Sequence, residues 1–550
     1  MKTYRWIIFG ILGCLAVAAI AYFWTSSLMD SMFAYRSPLR DTPPMPGEPL
    51  GAPLTRRVVF VLIDALREDT SLKPEIMPFL NELRQQSAWA TMHSRPPSYS
   101  DPGYTVLMTG AWPDISDGPT LNLEYEETPT WTQDNLFSAA HRAGLRTAVS
   151  GYYWFEKLIP QEAVDASFYT PGEDAAADRE VVDAALPWLE SDEYHFIFIH
   201  LDQMDYAGHY EGGPRDPRWD AAARRADDLL REIVSYLDLE QDTVIVLSDH
   251  GQIDRGGHGG YETVVLTEPF VLAGAGVKPG HYPDIQMVDV APTIAALLGT
   301  NLPASAQGCV LAGMLATPSE YESRIHGAEV IQKQALLQGY ETAIGSQAAR
   351  RPLADSPASY VAAMDEARTA RLARERVWRN VLAVFIAVLP PYILIVRKEK
   401  RALWLLGGAL LYVLLFNLRY AILEGRTYSL SSVVSQDDLI LFNLSTAAIA
   451  LGVAWLVAAL GAGAFRLGAR RAAEFALALT FTTLYLLALP TLWSFALNGA
   501  LVTWTLPDFA SMFMAFISLL QSMMVAVVGL VLTGISAAIS FGVTRFTPKH

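Results

Sequence analysis

Six long apolar stretches constrain this 550-residue chain more than any other feature. One runs from Trp6 to Trp24, without a charge, just after Lys2 and Arg5. The others crowd into the last third, near Val381–Val396, Ala402–Leu423, Leu439–Phe465, Phe475–Leu497 and Phe509–Ile539. About 20 apolar residues in a helix cross the hydrocarbon of a bilayer. Inside it every backbone polar group must be satisfied within the structure, so such runs become helices. The expectation is an N-terminal signal anchor at residues 1–24, a C-terminal bundle of about five helices at 377–550, and a large domain between them. A cleaved signal peptide is the alternative for the first run. That run is long for a signal and lacks a clear small-residue cleavage site. Ile11-Leu-Gly-Cys14 resembles a lipoprotein cleavage box, but the apolar run continues well past Cys14.

Loop charge orients these spans. Arg397-Lys-Glu-Lys-Arg401 and the segment Arg466 to Arg471 are basic and fall on one side. Glu424 to Asp438 holds a single Arg, and Asn498 to Asp508 holds no Lys or Arg. By the positive-inside rule the basic loops and both termini are cytoplasmic, which leaves the middle of the chain outside: periplasm, cell surface or organelle lumen. The formal net charge of −16 argues against nucleic acid as a partner, because the basic footprint is missing. Two cysteines in different regions, Cys14 and Cys309, imply no disulfide framework.

Between the spans, residues 25–57 form a Pro-rich tether containing Pro43-Pro-Met-Pro-Gly. Residues 58–318 then alternate strand-like and helix-like segments. Strands are expected near 57–65, 145–150, 194–201, 243–247 and 269–273, with helices near 77–86, 103–110, 136–143, 179–189, 219–237 and 288–298. This alternation predicts an α/β fold, a mostly parallel sheet flanked by helices. Residues 319–376 are polar, Ala-rich and helical in composition, with Arg350-Arg-Pro as a break, and read as a connector.

The chemistry gathers where strand-like runs end. In Asp242-Thr-Val-Ile-Val-Leu-Ser-Asp249-His250-Gly an apolar run stops at an acid and an imidazole, and His258 follows between glycines. Val58 to Ile63 stops at Asp64. His195 to His200 leads into Asp205-Tyr-Ala-Gly-His209, and a loop carries Pro96-Pro-Ser-Tyr-Ser100-Asp-Pro. Ligands in open α/β folds bind at the carboxyl ends of strands. Three carboxylates (Asp64, Asp205, Asp249), three imidazoles (His209, His250, His258) and the Ser100 hydroxyl suffice for two divalent metal ions sharing a site, with zinc favoured and manganese second. Two such ions about 4 Å apart suit in-line displacement at phosphorus. The bland reading makes Asp249 a helix cap and the histidines loop residues.

Taken together and in this order, the motifs resemble the alkaline phosphatase superfamily. They are similar to its type I phosphodiesterase/nucleotide pyrophosphatase branch and to the membrane-bound glycosylphosphatidylinositol ethanolamine phosphate transferases. The resemblance covers about residues 58–300, and Val61-Leu-Ile-Asp64-Ala-Leu-Arg is close to the transferases. It implies that Asp64, Asp249 and His250, with Ser100, hold one metal, and that Asp205, His209 and His258 hold the other. Ser100 then attacks phosphorus, forming a covalent intermediate that water or an acceptor hydroxyl resolves. The implied activity moves a phosphoethanolamine-type group from a phospholipid to a glycolipid or glycan; a hydrolysing phosphodiesterase is the alternative. Five C-terminal spans are fewer than the transferases carry, which leaves the acceptor open.

Rivals stand beside several of these residues. Ser98 competes with Ser100, whose spacing to Pro102 fits better. Asp202 competes with Asp205, which has the four-residue spacing to His209. Asp101 reads as a turn residue. His93, His141, His195, His200, His281 and His326 read as ordinary surface or strand-end histidines. Tyr99, Tyr104 and Tyr152-Tyr-Trp154 line a substrate pocket or belong to the core. A sulfatase needs Pro-x-Arg after its nucleophile, and Tyr104 stands where that Arg belongs. A phosphomonoesterase would bring an arginine clamp that the motifs do not supply. A transporter would carry ionisable groups inside its spans, whereas here Arg419 and Glu424 lie near an end of one.

Overall fold

The structure is a computed structural model that describes residues 5–347, 356–397, 401–433 and 436–546. Two compact units divide it. One comprises Phe33–Arg374 with Thr503–Leu506; the other comprises Met1–Met32, Glu375–Val502 and Pro507–His550.

The first unit is built on a nine-stranded sheet. In chain order the strands are β1 (Arg57–Ile63), β2 (Ala88–His93), β3 (Thr147–Tyr152), β4 (Ala166–Thr170), β5 (Phe196–Leu201), β6 (Asp242–Leu247), β7 (Thr267–Gly274), β8 (Gly280–His281) and β9 (Ile285–Gln286). They lie in the order β4-β3-β5-β1-β6-β7-β2-β8, with β9 on β2. Strands β4, β3, β5, β1 and β6 are parallel neighbours, and β7 runs antiparallel to both β6 and β2. The sheet is therefore mostly parallel, as the alternation of segments implies. Four strands have no counterpart in the sequence reading: the two-residue β8 and β9, and the longer β4 and β2. In β4, Ala-Ser-Phe-Tyr-Thr, an edge strand, most residues are only partly covered. In β2 buried and half-buried positions alternate over Ala-Trp-Ala-Thr-Met-His, without a continuous apolar run.

Central strands are buried on both faces, which is why they read as unbroken Val, Ile, Leu and Phe. Val58, Phe60 and Leu62 point to one face, with Phe196, Phe198, Ile245 and Leu247. Packed on that face are Val106, Leu107 and Met108 of helix Ser100–Thr109, Phe137 of Leu136–Arg142, and helix Val290–Leu298. Val59, Val61 and Ile63 point to the other face, with Ile197, Ile199, Val244 and Val246. Helices Pro78–Arg84, Ala175–Glu190 and Pro217–Ser235 cover it, the last through Trp219 and the Ala222, Ala223, Ala226, Leu230 stripe. Helix Val290–Leu298 stops where Gly299 takes φ +70°, a left-handed cap that glycine adopts without strain. The connector segment is helical over Ser319–Ile344 and again from Pro357; the expected break at Arg350 lies outside the described residues.

In the second unit, five helices among the described residues are long and apolar enough to cross a membrane: Arg5–Phe33, Ala402–Leu423, Leu439–Gly461, Ala469–Asn498 and Phe509–Arg545. This is a membrane protein. The expected span Val381–Val396 lies within helix Pro357–Arg397, whose side chains beyond residue 392 are outside the described set. Lipid-embedded helices associate by close packing of small residues and by hydrogen bonds. Both occur here. A Cβ on Gly10 or Gly13 would meet Leu477 or Phe481 at 2.9 Å, so the first helix lies directly on Ala469–Asn498. Tyr412 donates to Gln521 at 2.9 Å, and Trp455 donates to Ser536 at 2.9 Å.

Candidate active site

Strands β5, β1 and β6 are adjacent and parallel, so the residues following them emerge side by side at one sheet edge. Asp64 follows β1, Ser248-Asp249-His250 follows β6, and Asp202 follows β5. Helix Gln203–Tyr210 starts there, and its four-residue spacing sets Asp205 and His209 on one face, 3.4 Å apart. Backbone strain marks the first turn: Ala65 has φ +59°, uncommon for a residue with a Cβ. Its N–H is thereby aimed at Asp249 Oδ1, at 3.3 Å.

The seven sequence candidates converge. Asp64, Asp249 and His250 offer ligand atoms within 4.8 Å of one another, and so do Asp205, His250 and His258. His209 Nε2 lies 3.0 Å from His258 Nε2, and the His250 and His258 rings stack with centroids 3.9 Å apart. Ser100 opens helix Ser100–Thr109, with its Oγ 3.2 Å from His250 Nε2. That helix sits close because residue 103 is glycine: a Cβ there would meet Asp249 Cβ at 2.9 Å.

Burial without counter-charge makes this cluster costly unless cations enter it. Among the described residues, Asp64 and Asp249 form salt bridges only with histidines. Asp64 Oδ1 and Asp249 Oδ2 are buried with no hydrogen-bond partner, a rare state for buried polar atoms. Burial first, and the nearby Asp64 charge second, hold the Asp249 carboxyl well above the usual carboxylate range. Burial, helped by the His250 and His209 charges, holds His258 well below the usual imidazole range. Carboxylate oxygens and neutral imidazole nitrogens are the donors divalent cations take. The residues present therefore fit two cations, one on each side of His250.

The rivals separate by their contacts. Ser98 Oγ donates to the Gly260 carbonyl at 2.9 Å, and its own carbonyl pairs with His258 Nδ1 at 3.1 Å. Ser98 is thus tied to the loop that carries His258. Tyr99 packs edge-on against His258, with centroids 5.3 Å apart. Asp101 is buried in the first turn of the Ser100 helix; its Oδ2 accepts from Leu123 N–H at 3.1 Å, and burial pushes it up to about 8.

Three residues outside the seven candidates join the site. His200, read as an ordinary strand-end histidine, is fully buried with Nε2 3.0 Å from Asp64 Oδ2, and with Asp64 and Asp202 it forms a third ligand group. Tyr104 donates to the same Asp64 oxygen and lies 3.1 Å from His200 Nε2. With Oδ2 engaged on that side, Oδ1 is the Asp64 oxygen left for a cation. Asn122 received no reading. Its Oδ1 accepts from Asp101 N–H at 3.1 Å, and its Nδ2 reaches Ser100 Oγ at 3.5 Å. No local motif surrounds it, so only the fold could find it.

Residues 58–300 match the family model described as type I phosphodiesterase / nucleotide pyrophosphatase. Among curated proteins the chain is similar to GPI ethanolamine phosphate transferase 2, catalytic subunit, of Homo sapiens: 28% identity over 326 residues, covering 54% of this chain and 33% of that protein. GPI ethanolamine phosphate transferase 1 of Mus musculus is 28% identical over 358 residues, covering 54% of this chain and 36% of that protein. The chain spans about a third of the length of these relatives. Among solved structures, murine ectonucleotide pyrophosphatase / phosphodiesterase 5 aligns with 45% of this chain and 96% of its own, at 13% identity and a TM-score of 0.38. The cluster of acids, imidazoles and Ser100 lies within residues 58–300, the span that matches the type I phosphodiesterase / nucleotide pyrophosphatase family model.

Proposed function

We propose that this chain is a membrane-bound phosphotransferase. It takes a phosphoethanolamine-type group from a phospholipid onto Ser100 and passes it to a hydroxyl of a glycolipid or glycan outside the cytoplasm. The observation that carries this reading is Ser100 Oγ at a helix N-terminus, 3.2 Å from His250 Nε2 where the two ligand groups meet. The GPI ethanolamine phosphate transferases, by their names, transfer such a group. Apolar helices keep the chain in the membrane that holds the donor.

Asp64, Asp249, His250 and Ser100 would hold one divalent ion, and Asp205, His209 and His258 the other. Zinc suits this mixture of imidazole and carboxylate better than manganese. Bound there, the two ions would acidify the Ser100 hydroxyl and neutralise charge on the departing oxygen. The residues do the rest. Ser100 Oγ forms a bond to phosphorus as the bond to the lipid oxygen breaks, releasing diacylglycerol. An acceptor hydroxyl then attacks phosphorus from the vacated side, and the Ser100 ester breaks. Asn122 is placed to donate its amide to a non-bridging oxygen.

Detergent-purified protein incubated with head-group-labelled phosphatidylethanolamine and a lipid-glycan extract tests the proposal. Chelator-sensitive label on the acceptor supports it. Free phosphoethanolamine as the sole product, whatever acceptor is supplied, would reassign the chain to the hydrolases. Two variants sharpen the residue roles. Asn122→Ala removes a donor to developing charge and is expected to lower turnover by about 100-fold. Ser98→Ala removes one hydrogen bond to Gly260, costs about 1 kcal/mol of stability, and leaves turnover within about threefold of wild type.

A further inference from the structure

The sheet edge that carries the acid and imidazole cluster continues past it. Beyond β5 lie β3 and then β4, all parallel, so residues leaving their carboxyl ends sit on the same edge. Tyr152-Tyr153-Trp154 leaves β3, and Pro171-Gly172-Glu173 leaves β4 beside it, where Tyr152 pairs with Thr170. Tyr152 donates its hydroxyl to Glu173 Oε1 at 2.9 Å. The Tyr152 and Trp154 rings meet edge to face with centroids 4.9 Å apart, and Trp154 Nε1 is buried without a hydrogen-bond partner. Tight packing joins this corner to the cluster: a Cβ on Gly151 would meet His200 Cβ at 2.7 Å.

Glu173 is half-buried, and among the described residues no lysine or arginine pairs with it. Burial holds its carboxyl above the usual range; the charges of Asp205 and Asp64 raise it further, and His209 pulls the other way. It therefore lies within electrostatic reach of the cluster. Two strand spacings, about 10 Å, separate the end of β4 from the end of β5, where the helix carrying Asp205 and His209 begins. A carboxylate with a tyrosine hydroxyl on one oxygen and aromatic rings alongside is suited to an organic cation.

Resting on the reading of the neighbouring cluster as a phosphotransfer centre, we propose that Glu173, with Tyr152 and Trp154, forms the subsite for the primary ammonium of the transferred group. This subsite selects an amine-bearing phosphoester over a neutral one. Glu173 accepts N–H hydrogen bonds from the ammonium, Tyr152 oxygen accepts another, and the rings exclude water.

The test is a binding measurement on the zinc-loaded full chain in detergent, with three probes: inorganic phosphate, O-phosphoethanolamine and glycerol phosphate. Wild type is expected to hold O-phosphoethanolamine about tenfold or more tighter than glycerol phosphate, the scale of a hydrogen bond to a charged group. Glu173→Gln abolishes that preference and leaves the Kd of inorganic phosphate and the zinc content unchanged. Tyr152→Phe weakens the preference in part, a graded result that misfolding does not give. Equal affinity of wild type for the two esters would overturn the assignment of Glu173. So would loss of inorganic phosphate binding in Glu173→Gln, which would mark a structural role. If zinc-loaded wild type binds none of the probes, the phosphotransfer reading itself fails, a result distinct from both.

Discussion

Ser100→Ala is expected to reduce transfer of the head group by about 10⁴-fold or more, the scale on which deleting a nucleophile acts in covalent catalysis. The size follows from what replaces it. Without the Ser100 oxygen, the acceptor must attack the phospholipid directly, and the two-step displacement at the helix N-terminus is gone. The same variant keeps Asp64, Asp249, His250, Asp205, His209 and His258, so its zinc content should fall little. Activity lost with metal retained separates a nucleophile from a residue that merely supports the site. Ser98, two residues away and bonded to Gly260, supplies the contrast because its loss leaves turnover nearly intact. Initial rates and metal content measured on the three proteins side by side check the prediction. A Ser100→Ala protein within about tenfold of wild type would remove Ser100 from the chemistry.

Asp249→Asn is expected to act in opposite directions on the metal-free and metal-loaded protein. Asp249 is fully buried, lies beside Asp64, and has one oxygen unpartnered. Without cations, that arrangement sets a buried charge against a second carboxylate, so the neutral amide should melt at the same temperature or higher. With zinc at a thousandfold excess over Kd, wild type gains about 4 kcal/mol through preferential binding to the folded state. The variant lacks a direct ligand and gains little of this. Its activity should fall further than the 10- to 100-fold that losing an outer partner of a ligand costs, as a rough scale. Thermal melts with and without zinc, with activity alongside, check both halves. A zinc-dependent rise as large in the variant as in wild type would take Asp249 out of the metal site.

The parts of this molecule that were legible in its sequence share a physical cause. β1, β5 and β6 are covered on both faces, so they read as continuous apolar runs, and the polar residues that stop them mark the sheet edge. Asp64, Asp249 and His250 announce themselves in this way. Asp205 and His209 were legible through their four-residue spacing in the motif, whereas the helix Gln203–Tyr210 that carries them has no counterpart among the expected helices. What escaped is what lacks a run or a motif. β4 is a partly covered edge strand, so its pattern is blurred. His200 sits inside an apolar strand, and nothing local says that its ring turns to Asp64. Asn122 and Glu173 lie in loops, and tertiary packing brings them to the site. The antiparallel turn of β7 against β6 was hidden because strand direction leaves no trace in composition.

The most direct measurement is to quench the full chain after brief exposure to head-group-labelled phosphatidylethanolamine, with zinc and without acceptor, and to map the label by peptide mass spectrometry. The account predicts a phosphoethanolamine ester on Ser100, lost with chelator and discharged when acceptor is added. Rapid turnover with Ser100 never modified, or a label on another residue, would contradict it.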